Sequence, residues 1–514
     1  MLATVRSLAI LGLDAEPVLV EVDLSAGLPG LTIVGLPDKA VEEAKERVRS
    51  AVKNSDASFP VKRITVNLAP ADVKKVGPAY DLPIALGILA VDQQLVPNVS
   101  DHAAVVGELA LNGDVRPVSG VLAIALAAPA HGIDTLYVPA ANAQEAALAP
   151  GVTVYAIQNL REFIDHLIRG KKLAPVSPSS PQEPTEPTGI DFREVYGQAQ
   201  VKRALEIAAA GGHNILMTGP PGSGKTLLAK AFASILPPLS QEEQLEVTRI
   251  HSVAGTLPVS EGLVHRRPIR MPHHTASAIA LIGGGTWPRP GEVSLAHRGA
   301  LFLDELPEFP RSVLEVLRQP LEDGVITISR AQGSITFPAK FILLAAQNPC
   351  PCGRLGTSGC TCSSGQIQRY QRRVSGPFLD RIDLVVHVPA VEYKELASSA
   401  SEEPSVEVRN RVIAARNRQR ERYRGNILVN AEMGNRHITR WAKLDTAAEQ
   451  LMEQAMRHYQ LSARVYHRIL KVSRTIADLA GSETIEATHV AEALQYRSRN
   501  VSEQIQPLSV HARA

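Results

Sequence analysis

The chain of 514 residues has few aromatic side chains, few cysteines and no excess of charge of one sign. Aromatic residues make up 4% of it and its formal net charge is +2, so no global polyanion-binding surface is indicated. A run of about 20 apolar residues, as a membrane-spanning helix needs, is missing. The first residues also lack the basic and apolar segments of a signal peptide. We therefore expect a cytoplasmic protein without a membrane partner.

All the cysteines fall in one short loop, residues 350–362. They are Cys350, Cys352, Cys360 and Cys362. Four thiolates in one cytosolic loop suit a tetrahedral soft metal such as Zn²⁺. The C-x-C spacing is shorter than the usual C-x₂-C and strains chelation by neighbouring thiolates. A structural zinc site and four unligated thiols both stay open, whereas a catalytic zinc is disfavoured because every ligand would be a protein sulfur.

The length predicts several domains, because single cores stop growing near about 250–300 residues. Composition divides the chain into four parts: 1–170, 171–189, 190–390 and 391–514. The second part is a Pro/Ser/Glu-rich linker that cannot bury a core. In the first part the strand patterns Val18–Leu24 and Arg63–Leu68 flank the helical run Asp38–Val52. The third part mixes strands and helices and the fourth is helical, so the predicted fold class is α/β multidomain.

The most specific motif is a glycine-rich turn between a strand pattern, residues 214–218, and a helix pattern, residues 227–233. Its residues are Gly219, Pro220, Pro221, Gly222, Ser223, Gly224, Lys225 and Thr226. The glycines let backbone N–H groups face a polyphosphate at the helix N-terminus. Lys225 would reach the outer phosphates, and Thr226 would ligate Mg²⁺. The motif predicts a binding loop for ATP.

Two further apolar strand patterns end in polar groups suited to the same site. The first, residues 299–303, is followed by Asp304 and Glu305, which would lie beside Mg²⁺ and polarise the attacking water. The second, residues 341–346, leads to Asn348, whose amide could orient that water. Asp304 and Glu305 alone would also fit a helix N-cap with an acidic first turn. Three such strands together favour ATP hydrolysis.

Several unusual runs lie beside these motifs: 197–198, 202–214, 270–275, 283–285, 290–297 and 348–353. Among them are Arg-Met-Pro-His-His-Thr from Arg270 and Asn-Pro-Cys-Pro-Cys-Gly from Asn348. Together they resemble the ComM/YifB family of magnesium-chelatase-like AAA+ proteins over essentially the whole chain. The resemblance implies an AAA+ P-loop αβα core, a C-terminal helical lid and a homo-hexameric ring.

The function that the resemblance implies is an ATP-dependent DNA helicase or branch-migration motor. Its partners would be single-stranded or branched DNA and recombination proteins, and its setting DNA recombination in natural transformation. The alternative is a chelatase-type, ATP-driven protein remodeller. The N-terminal domain and the cysteine loop favour the DNA motor, because chelatase motor subunits generally lack both.

Three roles in hydrolysis follow from the resemblance. Asn348 matches the sensor-1 position, and Arg381 matches an arginine finger offered to the neighbouring subunit. A guanidinium opposite Lys225 would neutralise charge on the transferred phosphoryl group. Arg464 best matches the sensor-2 position of the lid, with Arg468 and Arg474 as alternatives. A surface pair of Arg381 with Asp383 and ordinary solvated lid arginines are the competing interpretations.

The N-terminal part resembles the Lon protease catalytic domain but departs from it at both chemical positions. Ala79 stands where the nucleophilic serine belongs, and Leu122 stands where the general-base lysine belongs. Without a hydroxyl and an amine there is no activated nucleophile. The resemblance thus implies an inactive Lon-protease-like α/β domain kept for assembly or partner binding, and an ATP-dependent protease is disfavoured.

Candidate DNA contacts lie on two segments of the core. The alternating run 324–337 predicts a hairpin with Arg330 near its tip, which related ring helicases project into the channel. The segment 266–289 resembles a second channel loop. It carries Arg266, Arg267, Arg270, His273, His274, Trp287 and Arg289. The two histidines also fit a local hydrogen-bonding turn or a metal pair. The arginine-rich run 409–424 fits either a phosphate-facing surface or a solvated helix face.

Overall fold

The computed structural model describes residues 2–93, 101–168, 171–178, 189–258, 262–285, 288–330, 333–356, 359–390, 402–425 and 427–497. Within these ranges no helix combines the length and the apolar character that crossing a bilayer requires. The described residues are mixed α/β up to residue 390 and helical between 402 and 497.

The N-terminal region contains two sheets. A four-stranded sheet has the order Leu2–Leu11, Asp14–Ser25, Arg63–Ala69, Gly30–Val34, with only the last pair parallel. A parallel three-stranded sheet has the order Ala103–Val105, Thr135–Pro139, Thr153–Ile157, and a short hairpin joins Glu108–Leu109 to Val115–Arg116. The α-helices are Lys39–Glu42, Ala44–Asn54, Asp81–Val91, Val121–Ala127, Ala143–Ala146 and Leu160–Ile168. Both strands predicted here are present within longer ones.

The helical run predicted over Asp38–Val52 is two helices that meet at Glu43. Asp38 begins the first helix, because its Oδ1 accepts a hydrogen bond of 2.9 Å from the backbone N–H of Val41. The second helix buries Val48 and Val52 in the hydrophobic cluster that also contains helix Asp81–Val91 and the four-stranded sheet.

The core is built on a five-stranded sheet in which every pair is parallel. Its order is Ile269–Arg270, Ala300–Leu303, Ile342–Gln347, Ile215–Thr218, Leu384–His387. The strand that precedes the glycine-rich turn thus lies between two strands from later in the chain. Ligands of such sheets bind where the order changes, at the carboxyl ends of the strands.

Helices cover both faces of this sheet, and alternate side chains of each strand enter different hydrophobic clusters. Ile215, Phe302 and Leu344 pack with the lid on one face, whereas Leu301 and Leu343 pack on the other. The core α-helices are Ala199–Gly211, Lys225–Ile235, Gln241–Ala254, Ala278–Ile282, Glu292–Leu295, Arg311–Val316, Arg318–Asp323, Ser364–Gln371 and Gly376–Leu379. Two hairpins join Gly283–Gly284 to Arg289–Pro290 and Val325–Arg330 to Gly333–Pro338.

Asn214 is the residue immediately before strand Ile215–Thr218, and its side chain fixes the spacing of the core sheet. Its Oδ1 accepts a hydrogen bond of 2.9 Å from the Leu343 backbone N–H, and its Nδ2 donates to the Arg381 carbonyl at 3.0 Å. One side chain therefore joins its own strand to the strands on both sides of it.

The C-terminal region is helical, as predicted for the lid. Its α-helices are Ser405–Tyr423, Asn435–Trp441, Thr446–His458, Ala463–Ala480 and Ala487–Gln495. Val408, Ile469 and Val490 bury their side chains in the cluster that also covers one face of the core sheet. The helical region and the core consequently share one hydrophobic core.

The N-terminal region contacts the core at helix Gln241–Ala254. Arg249 Nε donates to the Leu13 carbonyl at 2.7 Å, and the Gly120 N–H donates to the Ser252 carbonyl at 2.9 Å. Gly12, with φ of +67°, lies so close to the second hairpin that a Cβ there would stand 2.6 Å from Ile335 Cγ2.

Arg474, one of the alternatives for the sensor-2 position, is buried within the helical C-terminal region. Its side chain is 0% exposed and so is that of Asp478. Its guanidinium donates to Asp478 Oδ1 at 3.1 Å, to the Glu483 carbonyl at 2.6 Å and to the Ser482 carbonyl. All its donors are therefore directed into the lid itself.

Replacing Arg474 by alanine should lower the free energy of unfolding by about 3 kcal/mol, because a buried carboxylate loses one of its two guanidinium partners. Arg457→Ala is the control, since Arg457 is 80% exposed and, among the described residues, forms an ion pair with Glu453 four residues away. Urea unfolding followed by circular dichroism measures both. Equal midpoints for the two variants would contradict the structural role of Arg474.

Candidate active site

The glycine-rich turn links strand Ile215–Thr218 to helix Lys225–Ile235, as predicted. Gly222 and Gly224 adopt φ of +76° and +86°, a left-handed conformation that glycine adopts without steric cost. At Gly219 a Cβ would meet the Val388 carbonyl at 2.2 Å, so the turn also requires glycine for close packing. The Ser223 hydroxyl is buried without a hydrogen-bond partner among the described residues. The turn fits a bound polyphosphate at the helix N-terminus.

Lys225 places its ammonium inside this turn. Nζ donates to the carbonyl oxygens of Gly219 and Pro220, each at 2.8 Å, and to Asn348 Oδ1 at 3.3 Å. Burial lowers the pKa of Lys225, while the charges of Asp304 and Glu305 act in the opposite direction. The cation that would meet the outer phosphates is thus held beside the predicted sensor amide.

Thr226 and Asp304 meet although 78 residues separate them, with Thr226 Oγ1 donating to Asp304 Oδ2 at 2.7 Å. Asp304 Oδ1 also accepts from the Glu305 backbone N–H at 2.9 Å. Strand Ala300–Leu303 brings the carboxylate to this point, because its partner strand also pairs with Ile215–Thr218. A hydroxyl beside a carboxylate is a ligand pair suited to Mg²⁺.

Glu305 has a left-handed backbone, with φ of +51°, and its carboxylate lies on the exposed side of the site. Its Oε2 is 3.2 Å from Nδ1 of His274. The ring of His274 lies 4.1 Å from that of His273 and meets the ring of Phe309 edge-on. Glu305 is therefore contacted by the segment that was predicted to be a channel loop or a local turn.

The contact between His274 and Glu305 was missed by the sequence analysis. The signal that could have revealed it is the short strand Ile269–Arg270, which pairs in parallel with Ala300–Leu301. Residues that follow neighbouring parallel strands lie at the same edge of the sheet. Two residues are too few to give a recognisable strand pattern, so the pairing was not predicted.

Arg381 lies within its own subunit rather than on an open surface. Its side chain is 6% exposed, and its guanidinium donates to Glu322 Oε2 and to the Pro377 carbonyl, each at 2.5 Å, and to the Arg318 carbonyl at 3.2 Å. The competing pair with Asp383 is not among its recorded contacts. Its role as a finger stays a prediction.

Arg464 shares the same carboxylate, because its Nη2 donates to Glu322 Oε1 at 2.8 Å. Among the described residues it has no recorded contact with the glycine-rich turn. Arg468 Nη1 donates to Asp383 Oδ1 at 3.2 Å. Burial acts to raise the pKa of Asp383, but the hydrogen bond from His213 and then the charge of Arg468 hold that pKa well below its usual range. The structure thus groups Arg464 with Arg381 and not with Lys225.

The three candidate DNA contacts differ in what surrounds them. Arg270 forms a two-bond ion pair with Glu292, at 2.6 and 2.8 Å, so its charge is already compensated. Arg289 is exposed and borders a cavity of about 210 Å³ that Ala79 also lines. Arg330 ends the first strand of the predicted hairpin, which is present, but its side chain and Trp287 lie outside the described residues.

Six of the seven arginines of the run 409–424 lie on helix Ser405–Tyr423, and most of these six have a partner within the chain. Arg411 pairs with Glu206 and Glu403, and Arg422 pairs with Asp478. Arg416 is buried and donates twice to the Ala209 carbonyl, and Arg418 donates to the Asp478 carbonyl. These four arginines fasten the helix to its neighbours and do not form a phosphate-facing surface.

The cysteine loop follows Asn348 directly. The four sulfurs all lie within 4.8 Å of one another and no disulfide joins them. The N–H groups of Arg354 and Thr361 lower the pKa of the Cys352 thiol to about 6, while burial raises that of Cys350 to about 12. The short C-x-C spacing therefore does not prevent the sulfurs from converging.

Ala79 and Leu122 do not provide protease chemistry. Leu122 is fully buried in helix Val121–Ala127. Ala79 lines the 210 Å³ cavity together with Val253 and Arg289 of the core. The methyl group of Ala79 therefore stands at the nucleophile position and lies beside the α/β core.

Asp304→Asn should weaken nucleotide binding in Mg²⁺ by at least about tenfold, because the metal loses a carboxylate ligand. In EDTA the variant and the wild type should bind alike. Titration with a fluorescent ATP analogue measures both, and Asp72→Asn, an exposed carboxylate of the N-terminal region, is the control. An equal loss in EDTA would show that Asp304 acts without the metal.

Comparison with known proteins shows similarity to magnesium chelatase in all three parts of the chain. The family model described as magnesium chelatase, subunit ChlI, matches residues 191–396. A model described as subunit ChlI of Mg-chelatase matches residues 20–142, and one for the C-terminal part of that subunit matches 402–497. The magnesium-chelatase 38 kDa subunit of Cereibacter sphaeroides is 28% identical over 174 residues, which are 31% of this chain and 52% of that protein.

Longer matches cover nearly the whole sequence. The competence protein ComM of Haemophilus influenzae is 46% identical over 504 residues, 97% of each chain. The uncharacterized protein YifB of Salmonella typhimurium is 45% identical over 498 residues, again 97% of each chain. The chain belongs to the ComM/YifB family, whose core is a magnesium-chelatase-like AAA+ domain.

Proposed function

We propose that the chain is an ATP-driven motor on DNA, a homo-hexameric AAA+ ATPase that works as a helicase or branch-migration enzyme in recombination during natural transformation. The observation that carries the ATPase part is the meeting of Lys225, the Thr226–Asp304 pair and Glu305 at one edge of the core sheet. The DNA part is supported by the similarity, at 46% identity, to a protein named as a competence protein.

Each residue of the site has a separate role in the proposed hydrolysis of ATP. Lys225 and the N–H groups of the turn bind the phosphates, and Thr226 and Asp304 would hold Mg²⁺, which when bound offsets phosphate charge. Glu305 accepts a proton from the attacking water, and Asn348 orients that water from the other side. The contact with His274 keeps the Glu305 carboxylate near the sheet edge.

Glu322 supports the proposal that the site is completed by a second subunit. It pairs with both Arg381 and Arg464, so the two arginines predicted to act on nucleotide lie side by side at the part of the surface around Glu322. In a ring that part would face the glycine-rich turn of the neighbour. Both guanidinium groups could then release Glu322 and bind oxygens of the transferred phosphoryl group instead.

The hairpin of strands Val325–Arg330 and Gly333–Pro338 is the proposed DNA arm. One of its faces is apolar and buries Ile326, Ile328 and Phe337 in the core. The other carries cross-strand hydroxyl pairs, such as Ser329 with Ser334 at 2.9 Å. A ribbon anchored on one face can transmit movement of the core to Arg330 and to backbone phosphates.

The proposed function also includes a location in the cell, a role for the N-terminal region and two metal cofactors. We assign the N-terminal region to an inactive Lon-protease-like domain for assembly or for binding recombination proteins, and the protein to the cytoplasm. The proposed cofactors are Mg²⁺ at Thr226 and Asp304 and a zinc ion at the four cysteines.

A protein remodeller of the chelatase type is the second candidate. The match to the magnesium-chelatase 38 kDa subunit favours it, but that match covers only 31% of the chain. The two candidates differ in whether DNA changes the rate of ATP hydrolysis.

The purified protein should hydrolyse ATP faster with single-stranded DNA and should unwind a forked duplex. Glu305→Gln should bind ATP normally and lose turnover by about a hundredfold or more, because the general base is removed. Glu308→Gln is the matched control, since Glu308 lies on the next short helix and pairs with Arg373 at the surface.

The outcomes separate the candidates. ATP hydrolysis that ignores DNA would favour the remodeller over the motor. Full unwinding by Glu305→Gln would contradict the role of Glu305.

Arg381→Ala should slow turnover by about 10³-fold, the usual cost of losing an arginine finger. Mixing it with Lys225→Ala subunits should restore about a quarter of wild-type turnover, because a random ring pairs an intact turn with an intact finger at that frequency. Steady-state ATPase assays on mixtures of the two inactive variants measure the recovery.

No recovery in the mixture would mean that Arg381 serves its own subunit, as its bond to Glu322 alone would suggest. Full turnover by an isolated monomer would contradict the ring as well.

A further inference from the structure

The four cysteine sulfurs lie together in one compact group. The Sγ–Sγ distances are 3.4 Å for Cys350–Cys352, 3.9 Å for Cys350–Cys360 and 3.6 Å for Cys352–Cys360. Cys362 completes the group, whose sulfurs all lie within 4.8 Å of one another. Disulfide bonds would require about 2.05 Å, so these distances describe separate sulfurs.

A single tetrahedral ion accounts for this spacing. With metal–sulfur bonds of about 2.3 Å, the four ligands of a zinc ion stand about 3.8 Å apart. An iron–sulfur cluster places several iron atoms between its cysteines and would hold them further apart. Four sulfur ligands would complete the tetrahedral shell of such an ion, so no position would be left for water or substrate, and the ion would be structural.

We propose that Cys350, Cys352, Cys360 and Cys362 bind one zinc ion, and that this ion holds the cysteine loop as a brace against the phosphate-binding turn. The second part rests on the proposed ATPase site, whereas the metal site does not.

The contact between the two loops is made by Gly353. Its φ is +74°, and a Cβ there would stand 2.3 Å from Cδ of Pro221 and 2.6 Å from its Cγ. The backbone of the cysteine loop therefore lies directly on the proline of the glycine-rich turn. The Gly353 N–H also donates to the Cys350 carbonyl at 2.9 Å, which closes the turn that carries the first two ligands.

The other end of the brace is Asn348, two residues before Cys350. Its Oδ1 is 3.3 Å from Lys225 Nζ, so a fixed Cys350 also fixes the amide beside the ammonium. Cys350 is 0% exposed, as expected for a ligand at the base of the loop. Losing the ion would loosen Pro221 and Asn348 together.

Metal analysis of the full chain tests the first part. Elemental analysis by mass spectrometry should find about one zinc per chain, and Cys360→Ser/Cys362→Ser should lose it. Protein loaded with Co²⁺ should show the thiolate charge-transfer and visible bands of tetrahedral cobalt. Bound iron, or no metal after reconstitution with Zn²⁺ under reducing conditions, would overturn the assignment. The cobalt spectrum of the wild-type chain decides the question even if the double variant does not fold.

Two glycine variants test the brace without changing a ligand. Gly353→Ala should keep its zinc but lose ATP turnover by about 10²-fold, the cost of a displacement near 1 Å at the phosphates. Gly356→Ala is the matched control, because Gly356 has a similar φ of +83° but open space where its Cβ would go. It should stay within about twofold of the wild type.

Equal turnover in the two glycine variants would overturn the brace and leave the zinc site standing. Should Gly353→Ala fail to fold, wild-type protein stripped of zinc supplies the measurement. Its affinity for a fluorescent ATP analogue should fall and should recover on adding Zn²⁺, and unchanged affinity would overturn the brace. If DNA fails to stimulate hydrolysis while these results hold, only the motor proposal is lost.

Discussion

Parallel pairing of strands from distant parts of the chain is the constraint on which the site depends. Strand Ile342–Gln347 lies between Ile215–Thr218 and Ala300–Leu303, in a register that puts Thr218 opposite Gln347 and Leu303 opposite Ala345. The residues that follow each strand must then meet at one edge of the sheet. Asn214 keeps this alignment, since a shift of either neighbour would break a hydrogen bond of its half-buried amide.

Charge in this chain is largely neutralised where it arises. Arg267 is buried against Glu243, Arg270 pairs with Glu292, and the lid arginines use carboxylates or carbonyls of their own subunit. A net charge of +2 is the sum of many such local pairs. Arg381 and Arg464 share one carboxylate, Glu322, so an anion that bound both would take the place of that partner.

The sequence predicted the parts of the site that directly follow a long apolar strand pattern. Residues 219–226 form the turn, and Asp304 and Asn348 reach it, because a long apolar run before a polar group is a strong pattern. The contact of His274 with Glu305 depends on a strand of two residues, too short to produce a pattern. The partners of Arg411 and Arg416 were likewise invisible, since burial of an arginine is decided by helices far away in sequence.

The placement of Gly12 has a mechanical consequence. The turn that contains it is fastened to helix Gln241–Ala254 through Arg249 and touches Ile335 of the hairpin. If the hairpin moved further than its side chains can adjust, either the N-terminal sheet would move with it or a gap would open beside Gly12. In the proposed motor the N-terminal region would therefore be coupled to the hairpin, and its rigidity would limit how far the hairpin can move.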